Sequence, residues 1–108
     1  MEQLTVIKKD GLEYVMFELS GVFNAYTAVT IQEKLYDAIK KHNVVLDLSK
    51  VVVLDSSAMG VIMATHNDAE EYGTKLYLLS LSNECDKEIL STGFKKLFNI
   101  ISSVTEVK

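Results

Sequence analysis

Arginine, proline and tryptophan are absent from this chain, and cysteine occurs once, at Cys85. Without arginine there is no planar guanidinium fork to grip phosphate or carboxylate at two points, so a site built to read phosphorylated ligands is not expected. A lone cysteine cannot close an internal disulfide and lacks the companions of a zinc site. Cys85 reads as an incidental thiol. The lack of proline and of low-complexity sequence leaves no visible linker or tail. No apolar run approaches the ~20 residues of a membrane-spanning helix. The start, Met1-Glu2-Gln3, lacks the apolar region of a signal peptide, so a cytoplasmic protein is expected. The net charge of −4 speaks against a nucleic-acid footprint, which needs clustered positive charge.

What is present suffices for one domain over residues 1–108, with 48% hydrophobic content. Two strand-like runs, Leu4 to Lys8 and Tyr14 to Leu19, flank Asp10-Gly11, a hairpin signal. Asn24 is placed to cap a helix in which Ala28, Ile31, Leu35, Ala38 and Ile39 form the apolar stripe, ending near His42-Asn43. Val44 to Leu48 is apolar apart from Asp47, as in a central strand covered on both faces. A further strand is expected at Lys75 to Leu79. A short helix then starts near Ser82-Asn83 and ends at Gly93, closed by an Ile89–Phe94 contact. Phe94, Leu97, Phe98 and Ile100 read as closing core residues. Strands alternating with helices predict an α/β fold: a mixed, mainly parallel sheet of four or five strands with an N-terminal hairpin, packed by three or four helices.

The most chemically exposed point is the junction at Asp55-Ser56-Ser57. There an apolar, β-branched run, Val51 to Leu54, stops and a helical pattern to Tyr72 begins, with Gly73 as its stop. Two hydroxyls fall where helix N–H groups lack partners and the dipole favours negative charge. At about 100° per residue, Ala58, Ile62, Thr65, Ala69 and Tyr72 share one face, the expected core side. Ser57, Gly60, Ala64, Asn67, Asp68 and Glu71 lie opposite. Small residues beside Ser57 suit either close approach of another protein or packing against a neighbouring segment. Asp55 is either a helix cap or an orienting group for Ser57, and Asn24 either a cap or a contact. Met59 and Met63 flank the apolar stripe, as adaptable contacts or partly buried residues.

Enzymatic signatures are missing: there is no G-x-S-x-G elbow, P-loop or HExxH. Nothing ties His42 or His66 to Ser57 as a base, and His66 reads as structural. No catalytic residue, cofactor or metal is expected.

Three segments together resemble the STAS domain, in the small stand-alone form of bacterial anti-sigma factor antagonists. They are Leu19-Ser20-Gly21-Val22-Phe23-Asn24-Ala25, Asp55-Ser56-Ser57-Ala58-Met59-Gly60 and Ile89-Leu90-Ser91-Thr92-Gly93-Phe94-Lys95-Lys96-Leu97-Phe98. The resemblance covers essentially the whole chain. It implies a partner-switching protein whose phosphoserine falls on Ser57. The unphosphorylated form binds an anti-sigma factor that is also a serine kinase and so releases the sigma factor; a PP2C-type phosphatase resets the switch. Asn24, Asp55, Ser56, Ala58, Met59, Gly60, Val61 and Ala64 are the expected partner-binding residues around it. No direct nucleic-acid contact or membrane insertion is implied, and a monomer or weak dimer is expected. The other jobs open to such a domain are scaffold or sensor subunit of a signalling assembly, or accessory subunit of a membrane transporter, without a serine switch. Ala58 stands where the family more often has glycine, which predicts a methyl group in the path of a kinase approaching Ser57. Lys50 is the expected partner of a phosphate there.

Overall fold

A computed structural model describes residues 3–107. Strands β1 (Leu4–Asp10) and β2 (Tyr14–Phe23) form the N-terminal hairpin, followed by α1 (Ala25–Ile39). Next come β3 (Asn43–Leu54), α2 (Ser56–Tyr72), β4 (Leu76–Leu79), α3 (Asn83–Ser91) and β5 (Asn99–Ile101). Short 3₁₀ turns occupy Lys95–Leu97 and Val104–Glu106. The five strands form one sheet in the order β1-β2-β3-β4-β5, antiparallel at β1/β2 and parallel elsewhere. The expected mixed α/β architecture is the observed one.

Alternation along the strands separates two clusters. Val15, Phe17, Leu19, Val44, Leu46, Leu48, Leu76 and Leu78 join the buried residues of all three helices in the main core. On the other face Val45, Tyr77, Leu79 and Ile101 form a smaller cluster, with Met16, Val104 and Val107 packed against it. The chain's last described segment thus covers the face that no helix covers.

β3 is longer than its apolar beginning suggests. It continues through Ser49 and Lys50 to Leu54, pairing with the far half of β2 across irregularities at Glu18/Ser20 and Gly21/Val22. Gly21 is required at this bend: its φ is +105°, and a Cβ would lie 2.4 Å from the Gln3 carbonyl oxygen, which accepts the Val22 N–H. The extra length carries the chain across to the start of α2.

Helix ends differ from the sequence expectation where distant groups take the terminal carbonyls. α1 stops at Ile39, before His42-Asn43. The Thr74 hydroxyl donates to the Ile39 carbonyl at 2.6 Å, and the Lys41 and His42 amides both donate to Ala38. α2 ends as expected at Gly73, which takes φ +75°. Tyr72 is not on the core face. It is exposed, edge-on to Tyr36, with the two hydroxyls 3.3 Å apart; that hydrogen bond raises the Tyr72 phenol to about 12.

The closing segment also departs from expectation. The Thr92 hydroxyl donates to the Ile89 carbonyl and accepts from the Phe94 amide, intercepting the bond Phe94 would return to the helix. Phe94 is therefore 52% exposed and Leu97 50% exposed, and Ile100 is also exposed. Only Phe98 closes the core, its ring edge-on to His66 at 5.5 Å.

Candidate functional site

Two helix N-termini are brought together where β2 and β3 end. The Asp55 amide donates to the Phe23 carbonyl at 3.2 Å, placing the cap of α2 beside the strand that leads into the cap of α1. Asp55 is extended, and its carboxylate accepts the Ala58 amide at 2.9 Å. Its role in this structure is the cap. Asn24 is buried, and its side-chain oxygen accepts the Tyr26 and Thr27 amides. Thr27 returns the favour by accepting the Asn24 amide at 2.9 Å while donating to the Val22 carbonyl. Asn24 is thus committed to a capping box, below the surface rather than on it.

The first turn of α2 separates outward from inward residues. Ser56 and Ser57 are exposed, and neither hydroxyl has a hydrogen-bond partner among the described residues. Gly60 and Ala64 are exposed on the next turns. A Cβ on Gly60 would meet nothing within 4 Å, so no neighbouring segment accounts for its small size. Ala58, Met59 and Val61 depart from the expectation of a contact surface: all three are packed in the main core, Ala58 wholly buried and Met59 and Val61 only 5% and 9% exposed, so they offer a partner little area. Their contribution is support from below. The Ala58 methyl lies wholly inside the domain and is no obstacle to an enzyme approaching Ser57.

Exposed apolar side chains near the starts of α1 and α2 were not singled out in the sequence. On α1, Tyr26 is 83% exposed and Val29 69% exposed; Val52 and Val53 are exposed near the end of β3. The signal was in the pattern, since Tyr26 and Val29 fall off the stripe set by Ala28, Ile31 and Leu35. Lys50 is not placed to serve Ser57. It lies five residues before Asp55 on an extended strand, about 16 Å at the usual rise, and lines a small hollow with Ile7, Glu18 and Asp47.

Among the described residues no group of acidic, histidine or cysteine side chains could hold a metal ion, and no helix is long and apolar enough to cross a membrane. His66 is engaged with Glu70, Nε2 to Oε1 at 3.0 Å, and burial pushes the Cys85 thiol up.

The STAS domain profile matches residues 3–107. The chain belongs to the STAS domain family. This STAS domain is 27% identical over 96 residues to the anti-sigma-B factor antagonist of Listeria monocytogenes, covering 87% of this chain and 84% of that protein. Its fold resembles the crystal structure of an anti-sigma factor antagonist from Mycobacterium paratuberculosis, with TM-score 0.84 and 19% identity over 96% of this chain and 90% of that one. It also resembles the Bacillus cell fate determinant SpoIIAA in its phosphorylated form, with TM-score 0.71 and 17% identity over 94% and 93% of the two chains. The first turns of α2 offer exposed small residues and a free Ser57 hydroxyl at a helix N-terminus.

Proposed function

We propose that this STAS domain is a cytoplasmic anti-sigma factor antagonist, a regulatory binding protein and not an enzyme, switched by phosphorylation of Ser57. In the unphosphorylated form it docks an anti-sigma factor that is also a serine kinase, and the sigma factor is released. A PP2C-type phosphatase restores that form. The observation that carries the reading is the free, exposed Ser57 hydroxyl beside the open space over Gly60.

The energetics favour a switch in association over a switch in fold. A phosphate adds about −1.5 to −2 charge. Near a helix N-terminus this gains about 0.3–1 kcal/mol, so the free domain stays folded. Buried against a partner with no cation opposite, the same charge costs several kcal/mol, and each ~1.4 kcal/mol is tenfold in affinity. No lysine lies in the first turn of α2 to offset it. Ser56, Ser57, Gly60 and Ala64 form the contact, with Tyr26 and Val29 as apolar anchors from α1. Asn24 and Asp55 hold the two helix starts in place, and Ala58, Met59 and Val61 hold the turn on the core.

The test is phosphorylation by the organism's own anti-sigma kinases with ATP, comparing wild type, Ser57→Ala and Ser56→Ala by intact-mass and peptide mapping. Incorporation lost only in Ser57→Ala supports the reading. Tight binding with phosphate on neither serine replaces it with a scaffold or transporter-subunit role.

A further inference from the structure

A groove of about 920 Å³ runs between the β1/β2 hairpin and the C-terminal half of α1. It lies at the end of the sheet opposite Ser57: Tyr14 and Asn43, which begin β2 and β3, line it, whereas Ser57 follows the end of β3. Its apolar lining comes from Val6, Val15, Phe17 and Ala38. The two walls carry opposite net charge. The hairpin wall has Lys8, Asp10 and Glu13, and the helix wall Lys34, Asp37 and Lys41. Among the described residues no ion pair crosses the groove, and neither Lys34 nor Lys41 is in an ion pair; Asp10 has a 4.0 Å contact with Lys8 on its own wall.

Leu12, at the hairpin tip, is fully exposed. The tip holds it there. The Gly11 amide donates to the Tyr14 carbonyl at 2.8 Å, and Gly11 rests so close to the Tyr14 ring that a Cβ would lie 2.2 Å from it. A leucine is thus projected into water on a braced turn, flanked by Asp10 and Glu13. The groove beside it offers an apolar floor and two unpaired lysines. Probe and receptor complement each other, but within one chain Leu12 sits on the groove's own rim and gains no cover.

We propose that this end of the domain binds a second copy of the chain, with Leu12 of each copy entering the groove of the other. Asp10 and Glu13 of one copy then face Lys34 and Lys41 of its partner, and the reverse holds across the two-fold axis. Such a contact is isologous and closed, so it stops at a dimer. Lying opposite Ser57, it leaves both Ser57 surfaces free and does not depend on the serine switch.

Sedimentation velocity of the full chain over a concentration series tests this. Wild type is expected to shift toward twice the monomer mass as concentration rises, and less so in high salt. Leu12→Asp is expected to weaken association at least about tenfold, the scale set by burying one leucine. Because Leu12 touches nothing in the monomer, its melting curve should be unchanged. Asp10→Lys with Glu13→Lys, and separately Lys34→Glu with Lys41→Glu, should each weaken self-association. An equal mixture of those two variants should associate again as a heterodimer. The proposal is overturned if wild type is a monomer at its highest soluble concentration, which leaves the groove to some other occupant. It is equally overturned if Leu12→Asp associates like wild type, or if the mixture associates no better than its parts.

Discussion

The Asp55 amide bonds to the Phe23 carbonyl, and this contact couples the starts of α1 and α2 across 32 residues of sequence. Each helix is capped by its own side chain, Asn24 and Asp55, so the two first turns stand next to each other with their outward residues free. The surface around Ser57 is therefore a joint product of two caps and one interstrand bond.

Loss of either cap should weaken the domain without unfolding it. Asp55→Ala removes one bond to an otherwise unpaired helix amide and is expected to cost about 0.5–2 kcal/mol. Asn24→Ala should cost more within that range, because Asn24 is buried and bonds two amides. Calorimetric melting would show falls of several degrees, at about 4–8 °C per kcal/mol for a domain near this size. A larger fall for Asp55→Ala than for Asn24→Ala would contradict this ranking.

Phosphorylated Ser57 and Ser57→Asp should melt within a few degrees of wild type and keep the near-UV circular dichroism. Binding to the cognate kinase should fall at least about a hundredfold, as expected for an uncompensated charge in an interface. Calorimetric titration of the two forms against the same partner measures it. A lost near-UV signal would instead show that the switch acts on the fold.

Gly60 separates stability from docking. Gly60→Ala should stabilise the domain by up to about 1 kcal/mol, since alanine is the better helix former and its methyl meets nothing. Gly60→Leu should also fold, yet abolish partner binding by filling the space over which a partner's backbone passes. Urea unfolding and a pull-down with the kinase read the two effects.

Cys85 is expected to be inert in the folded protein, being fully buried with its thiol raised above the ordinary value of 9.0, chiefly by desolvation. A colorimetric thiol reagent should react only after unfolding. The sign of the pH dependence follows from the raised value: the folded state holds the proton more tightly. This contribution is fully present below pH 9.0 and is lost as pH rises through the folded value. Denaturation midpoints of wild type should therefore fall more steeply above pH 9.0 than those of Cys85→Ala.

Much of the site was legible along the chain because caps and stops are local. Asn24, Asp55, Ser82 and Gly73 act on amides and carbonyls within a few residues of themselves, and all four mark helix ends. The facing of Ser57, Gly60 and Ala64 followed from helical period alone. The buried state of Met59 and Val61 was less legible, because a period marks a direction and not how far a core extends around a helix. α1 packs on one flank of α2 and the sheet lies beneath, so more than one narrow stripe is covered.

The sequence by itself determined the first four strands and the three helices, the sheet class and the two serines at a strand-to-helix junction, but not β5. Those properties rest on periodicity and on hydrogen bonds between near neighbours. Only the tertiary structure decided which apolar residues stay in water. Phe94 turned outward because Thr92 took its bond, Tyr72 because α1 offered it Tyr36, and Leu12 because Gly11 seats the hairpin tip on Tyr14. It also turned the Ala58 methyl inward and set Lys50 apart from Ser57. Burial is a property of segments distant in sequence that meet in space, and composition leaves those meetings open.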